Sequence, residues 1–399
     1  MDTETRFADV LPDTTAGNEG VVLGTAPLER SPLSVYNMAN ASDTDISVAE
    51  ALSVQAPSVS AKAAVLLCAD NGTVLYEKNA DERLAIASIT KIMTALLALE
   101  YAQTNDKAVV FTAAMQAEGS SMYLQVGDTL RLSELVKGLM MVSGNDAANA
   151  IALGIAGSAE AFAKQMNRKA QQIGMTNSHF VTPSGLDDEQ HYSTAADMAR
   201  LCAYAMRNER FAAIVSQRRE TVHYLVPENK TQVCVNHNRL LSLYDGCIGI
   251  KTGFTKKAGR TLTSCAERDG VRLVAVTLND PDDWQDHQTL FDYGFSLTER
   301  TTVLRTSDCY TLPVVGGQAD AVVVCPVRDV SLTRLKNRPD TVRICCMMPH
   351  FIYAPVADSQ TVGEVVIYYN GQPFASVPLR AETAVDVQKE EEPWKTMEK

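Results

Sequence analysis

The chain has 399 residues, 46% of them hydrophobic, enough for two ordinary globular cores. Its formal charge of −12 argues against nucleic acid or an anionic membrane surface as an electrostatic partner. No stretch reads as a bilayer span, and nine scattered cysteines without metal-ligand spacing read as small core residues rather than a disulfide framework.

Residues 1–56 are rich in Asp, Thr, Ser, Ala and Pro without periodicity, and a disordered leader or linker is expected there. No basic region followed by an apolar one is visible at the start, so no secretory leader is legible. Residues 61–79 alternate around Asp70-Asn71-Gly72, which predicts a hairpin with a primed turn. Residues 85–100 contain no Gly or Pro and are apolar nearly all round, the pattern of a helix buried in a sizeable domain. Residues 130–175 read as several helices without strand signal, one over 132–141 and another capped by Ser158. A further helix begins at Ser193.

From Val233 the pattern turns to strands, over 247–253, 260–265 and 271–278, the last two joined around Asp269-Gly270 and paired antiparallel. Residues 286–295 read as a helix packing back on this sheet. Beyond residue 301, short strands and turns predict a separate small all-β domain to 385, sandwich-like, followed by a charged, disordered tail over 386–399. The fold class expected is α/β in the α+β sense: residues 57–300 form an antiparallel sheet with an all-helical subdomain, and the β domain is appended to it.

Two polar residues interrupt the apolar helix near its start. Ser88 and Lys91, three apart, share one helix face. Desolvation drives a buried lysine toward its neutral amine, which can take a proton from a serine hydroxyl, and the helix N-terminus offers free N–H groups to an oxyanion. Alone the pair is weak, since Ser-x-x-Lys arises by chance about once in a chain of this length and by itself reads first as a cap and a snorkelling lysine. Ser143-Gly144-Asn145 falls at a helix break, where side chains project into a cleft or merely cap a helix. Lys251-Thr252-Gly253 ends a strand, where Lys251 is either an edge gatekeeper or a ligand group and Gly253 would admit a substrate backbone.

The ordered triple Ser-x-x-Lys, Ser-x-Asn, Lys-Thr-Gly resembles that of β-lactamases and penicillin-binding proteins. The segments 87–95, 143–148, 183–187, 191–194 and 249–255, with Ala258-Gly259, are similar to those of D-alanyl-D-alanine carboxypeptidases, the low-molecular-mass penicillin-binding proteins. The resemblance implies a β-lactamase/transpeptidase-like catalytic domain. It implies Ser88 as nucleophile, Lys91 as base and Ser143 as proton relay, with Asn145, Lys251, Thr252, Gly253 and the Phe254 backbone N–H binding substrate. The implied substrate is the D-Ala–D-Ala end of a peptidoglycan stem peptide, β-lactam antibiotics are the implied inhibitors, and no cofactor or metal is required. An extracytoplasmic location in the cell envelope follows from the resemblance, with the leader removed; membrane attachment is a family trait that this sequence does not display. Two alternatives stand beside it. A β-lactamase would need a Glu-x-x-Leu-Asn loop after Ser-x-Asn, and only Glu189, in another context, lies nearby; a catalytically silent wall-binding scaffold would be expected to have lost Ser88 or Lys91.

Overall fold

The computed structural model describes residues 34–37, 55–336 and 339–389. In chain order it runs through β1 (Ser34–Asn37), β2 (Ala63–Cys68), β3 (Val74–Lys78), a 3-10 turn at Ala87–Thr90, and α1 (Lys91–Thr104). The ribbon of β4 (Ala108–Val110) and β5 (Thr129–Arg131) leads to α2 (Leu132–Met141), α3 (Asn145–Ala156), α4 (Ala159–Gln172), α5 (Ala195–Ala205) and α6 (Glu209–Val215). A second ribbon, β6 (Arg219–His223) with β7 (Thr231–Val235), and the single turn α7 (Leu240–Leu243) precede β8 (Cys247–Thr255), β9 (Gly259–Arg268), β10 (Val271–Leu278) and α8 (Asp283–Leu297).

Five strands form an antiparallel sheet in the order β3-β2-β10-β9-β8. Both faces are covered. Ala63, Val65 and Leu67 of β2 join the core built with α1, α2, α3 and α5, while Ala64, Leu66 and Cys68 pack with Leu290 and Phe291 of α8. That double burial is why β2 reads as a continuous apolar run, since each alternate residue meets a different helical layer. α1 lies inside the larger core with Ile92, Met93, Ala95, Leu96, Ala98 and Leu99 all buried, which explains its nearly all-round apolar sequence. β8 is left at the sheet edge, beside the 3-10 turn that precedes α1.

The remaining strands are β11 (Thr298–Leu304), β12 (Tyr310–Val315), β13 (Ala321–Pro326), β14 (Val330–Leu335), β15 (Val342–Met348), β16 (Ile352–Tyr353), β17 (Thr361–Tyr369) and β18 (Gln372–Ala381). They make a seven-stranded sheet, β1-β15-β17-β18-β13-β12-β16, and a β11-β14 ribbon around a separate apolar core that includes Leu312, Val324, Val365, Ile367, Val377 and Leu379. Asn370 and Gly371 both adopt positive φ between β17 and β18, as do Asp269 and Gly270 between β9 and β10; these are the two-residue primed turns such pairs favour.

Several expectations need correction. Asp70-Asn71-Gly72 is not a primed turn, because only Gly72 has positive φ and the loop is wider, closed by Cys68 N–H to Thr73 O. The width serves the junction between the two cores: Thr333 Oγ1 donates to Asp70 Oδ2 (2.6 Å) and Asn71 Nδ2 to Thr333 O (2.9 Å). Ser88 lies on the 3-10 turn, and the α-helix proper begins at Lys91. The β4–β5 and β6–β7 ribbons interrupt or flank the helical block, and their strands of three to five residues are too short to carry a periodic signal. Within 1–56, β1 pairs with β15, while residues 1–33 and 38–54 lie outside the described residues. At the other end Val387 bridges Gly317 and Gln388 N–H donates to Gly316 O, so the tail is tied down as far as its described part goes; residues 390–399 lie outside it. Cys309 and Cys325 form a disulfide across neighbouring strands, against the reading of all nine cysteines as core residues; the other seven are free.

Candidate active site

The turn that carries Ser88 is held from three sides. Ala87 has φ +49, a conformation that costs a non-glycine residue about 1–3 kcal/mol and persists only where packing enforces it. Thr261 Oγ1 on β9 donates to Ile86 O (3.1 Å) just before it. The loop at Gly185, itself at φ +83, passes so close to Ala87 O that a Cβ there would overlap it. That loop is braced in turn. Thr94 Oγ1 donates to Pro183 O (2.6 Å), and His191 Nδ1 accepts from Val181 and Thr182 N–H (3.1 and 3.2 Å). The His191 ring proton therefore sits on Nε2 and is donated to Thr90 Oγ1 (2.8 Å); burial pushes this imidazole down to about 4, which keeps the tautomer neutral.

Lys91 has no exposed surface. Its Nζ lies 2.7 Å from Asn145 Oδ1, 2.7 Å from Ser184 O and 2.9 Å from Ser88 Oγ. Burial first, and then the positive charge of Lys251, hold its pKa well below the ordinary lysine value, with Asp146 opposing. A neutral amine has two protons and one lone pair. Two carbonyl acceptors take the protons, and the lone pair is left facing the Ser88 hydroxyl. Ser184 contributes only its backbone, which is why a side-chain motif search does not flag it.

Ser143 sits at φ +61 between α2 and α3, and its buried Oγ has no hydrogen-bond partner. Asn145 opens α3; besides accepting from Lys91 it donates Nδ2 to Glu118 O (2.6 Å), which leaves one amide proton free. Asp146, next in sequence, clamps the facing loop: its carboxylate accepts from Ser121 Oγ (2.6 Å), Met122 N–H (2.9 Å) and Leu124 N–H (3.1 Å). The carboxylate is spent on shape, a role the sequence did not disclose.

On β8, Lys251 is 1% exposed and pairs with no carboxylate; its Nζ donates to Thr252 O (2.8 Å), and burial pushes its pKa down to about 7. A Cβ on Gly253 would lie 2.9 Å from the Ser88 nitrogen and overlap Thr261 Oγ1, so only glycine lets the edge strand approach the turn. Phe254 pairs with Arg260, whose carbonyl already accepts from Asp280 N–H on the other side of β9. An antiparallel residue sends its N–H and C=O the same way, so this is a non-hydrogen-bonded pair and the Phe254 N–H points out from the sheet edge. Its ring is 65% exposed. Ser88, Ser120, Ser143, His237, Thr252, Gly253, Phe254, Arg260, Asp283 and Trp284 line one cleft of about 300 Å³. Sequence reasoning missed Arg260, Asp283 and Trp284, in which an ion pair (2.6 Å) packs over an indole. It also missed His237; no short motif marks any of these.

Residues 50–282 match the sequence profile of a family described as D-alanyl-D-alanine carboxypeptidase, and residues 299–387 match the penicillin-binding protein 5 C-terminal domain. The first match alone spans more than half of the chain. The chain belongs to the D-alanyl-D-alanine carboxypeptidase family. It is 34% identical to the carboxypeptidase DacF of Bacillus subtilis, over 80% of this chain and 85% of that one, and 32% identical to DacC of Escherichia coli, over 82% and 84%. Penicillin-binding protein 5 of Haemophilus influenzae has a similar structure, with a TM-score of 0.60, 29% identity, and 84% of this chain and 99% of that one covered. The carboxypeptidase is thus a serine-type peptidase with a transpeptidase-like fold and a C-terminal β domain, and neither the lactamase nor the silent scaffold is favoured. Glu189, the one glutamate near the lactamase loop position, is exposed. Among the described residues no helix is long and apolar enough to cross a membrane. The one cluster of potential metal ligands found there, Cys309, Cys325 and Glu382, includes two sulfurs joined in the disulfide.

Proposed function

We propose that residues 57–300 act as the catalytic domain and remove the terminal D-Ala from peptidoglycan stem peptides, with residues 301–385 as an accessory β domain. Ser88 Oγ attacks the penultimate carbonyl carbon and its proton passes to the lone pair of Lys91 Nζ. The oxyanion is held by the N–H groups of Ser88 and Phe254, one such donor lowering the barrier by roughly 3 kcal/mol. Collapse breaks the C–N bond, and the proton returns from Lys91 to the departing amine through Ser143. Asn145 orients Lys91 and uses its free amide proton on the substrate backbone. Lys251 and Thr252 bind the free carboxylate, which restricts cleavage to the chain end. Water then attacks the Ser88 ester as its proton passes to Lys91; collapse breaks the acyl–Oγ bond, and Lys91 returns the proton to Ser88 Oγ.

The observation that carries this reading is the position of Lys91 Nζ, buried 2.9 Å from Ser88 Oγ and 2.7 Å from each of two carbonyl oxygens that would take both protons of its neutral amine and leave the lone pair for Ser88. β-Lactams enter by the same attack, but the ring fragment stays attached where D-Ala would leave, and no free carboxylate lines the cleft to activate water, since Asp283 is paired with Arg260. Intact-mass measurement after penicillin treatment is expected to show one adduct on Ser88 lasting minutes or longer, while the same protein releases D-Ala from a peptide. Rapid penicillin turnover without an adduct would favour a lactamase. The Cys309–Cys325 disulfide supports an extracytoplasmic place of action, because disulfides persist in oxidising compartments.

A further inference from the structure

We propose that His237 is a specificity-determining residue of this carboxypeptidase, donating a hydrogen bond to the terminal carboxylate of the peptide from the cleft wall between α2 and α7. The inference rests on the reading of Lys251 and Thr252 as the carboxylate site and adds the group that completes it.

His237 lines the cleft together with Ser88, Ser143 and Thr252. Its ring is exposed and makes no hydrogen bond to any described residue, whereas His179, His191 and His287 all do. Its backbone, by contrast, is pinned on both sides. His237 N–H donates to Met141 O (3.3 Å), the end of α2 and two residues before Ser143. Asn236 Nδ2 donates to Val215 O (3.2 Å) and Gln217 O (3.0 Å), Asn238 N–H to Asn236 Oδ1 (2.9 Å), and Leu240 N–H to Asn238 Oδ1 (3.1 Å). A fixed backbone beneath a side chain with no protein partner leaves that side chain for a ligand. Partial burial and the nearby charge of Lys251 hold the imidazole below its ordinary pKa, so the neutral ring presents one N–H donor and one acceptor to the cleft.

The chemistry of the end group says which ligand. A carboxylate has two oxygens with about four lone-pair sites. Lys251, buried behind the lining, spends one of its three ammonium protons on Thr252 O, and Arg260, the cation that lines the cleft, is paired with Asp283. The two ammonium protons left to Lys251 and the Thr252 hydroxyl do not fill all four sites, and a further donor in the cleft has a place to bind. An arriving carboxylate favours the imidazolium, which turns the His237 contact into a charge-assisted bond at the moment of binding.

The test is steady-state release of D-Ala from an N-acylated peptide ending in D-Ala–D-Ala, by the full chain and by His237→Ala and His237→Arg, with active sites counted by fluorescent penicillin. His237→Ala is expected to raise KM about ten-fold, the size of one charge-assisted hydrogen bond, with kcat within about three-fold. His237→Arg, which restores a donor and a charge, is expected to bring KM back to within about three-fold of the parent. An unchanged KM in the alanine variant, a loss carried by kcat, or an arginine variant as impaired as alanine would each overturn the inference; the last would reduce His237 to part of the bracket. A parent chain that labels but releases no D-Ala would sink the proposed function, and this inference with it, a result distinct from the other three.

Discussion

The two cores of this molecule are built on opposite terms. The core around α1 and the five-stranded sheet encloses Lys91, Lys251, Asn145, Asp146, His191, Asp280, Asp286 and His287, all buried. Beyond α8, the only buried polar residues among those described are Thr298 and Thr333, both in the β11–β14 ribbon. Buried polar groups cost stability unless satisfied, and in the first core nearly every one has an assigned partner. Asp286 accepts from Ser60 Oγ (2.9 Å) and from the Ser60 and Ala61 N–H groups, and the His287 ring nitrogens are met by Ser264 and Thr277. Among the described residues the exceptions at the cleft are Ser143 Oγ and Arg260 Nε, both unpartnered, with Lys251 lacking a counter-charge; Asn238 Nδ2 and Asp280 Oδ2 are unpartnered outside its lining. A domain that performs chemistry tolerates unsatisfied polar groups where a substrate will satisfy them; beyond α8 the one such buried atom among the described residues is Arg334 Nε, which still lies 3.4 Å from the Glu299 carboxylate.

The comparison can be broken most severely at Lys91. Lys91→Arg retains a charge that does not deprotonate near neutral pH, so the rate of penicillin acylation is expected to fall by at least about a thousand-fold with the circular dichroism spectrum retained. Near-normal acylation would mean the base lies elsewhere. Gly253→Ala tests the close approach of β8. The added methyl displaces either Thr261 or the Ser88 turn, and acylation is expected to drop by about a hundred-fold, roughly the loss of one oxyanion donor. A variant that acylates like the parent would show that the N–H of Ser88 needs no such clearance.

A smaller effect is expected from pH. Lys251 loses its proton near 7 in the folded protein and near the ordinary 10.5 when unfolded. KM for a peptide with a free carboxylate should therefore climb as pH rises from about 7 to 9, while lower pH slows the acylation step by protonating Lys91. In stability the sign is opposite to the usual gain of a paired lysine: between the two pKa values the unfolded chain binds more protons, so this residue makes stability rise with pH over that window. A KM flat from pH 6 to 9 would remove Lys251 from carboxylate binding. The smallest effect on activity belongs to the apolar core. Leu379→Ala should destabilise the β domain by about 2–5 kcal/mol in a chemical-denaturation series, yet leave penicillin labelling within about two-fold. Loss of labelling in proportion to stability would show that the two cores unfold as one.

The sequence by itself determined the family motifs and much of the scaffold. Ser88, Lys91, Ser143, Asn145 and Lys251 stand in short motifs whose spacing is local, and the Asp269-Gly270 hairpin and the α2 and α4 boundaries follow from turn, cap and periodicity signals that act over a few residues. Tertiary structure alone decided the rest. The proton count at Lys91 depends on a backbone carbonyl at Ser184 and a side chain at Asn145, both far away in sequence. The Asp70-Asn71-Gly72 loop opened wider than its own residues prefer because Thr333 pulls on it from the other core, and Cys309 met Cys325 because two strands happened to align. His237 bears no motif at all. Its placement comes from hydrogen bonds to α2 and to the loop after α6, contacts between segments that only the folded chain brings within reach.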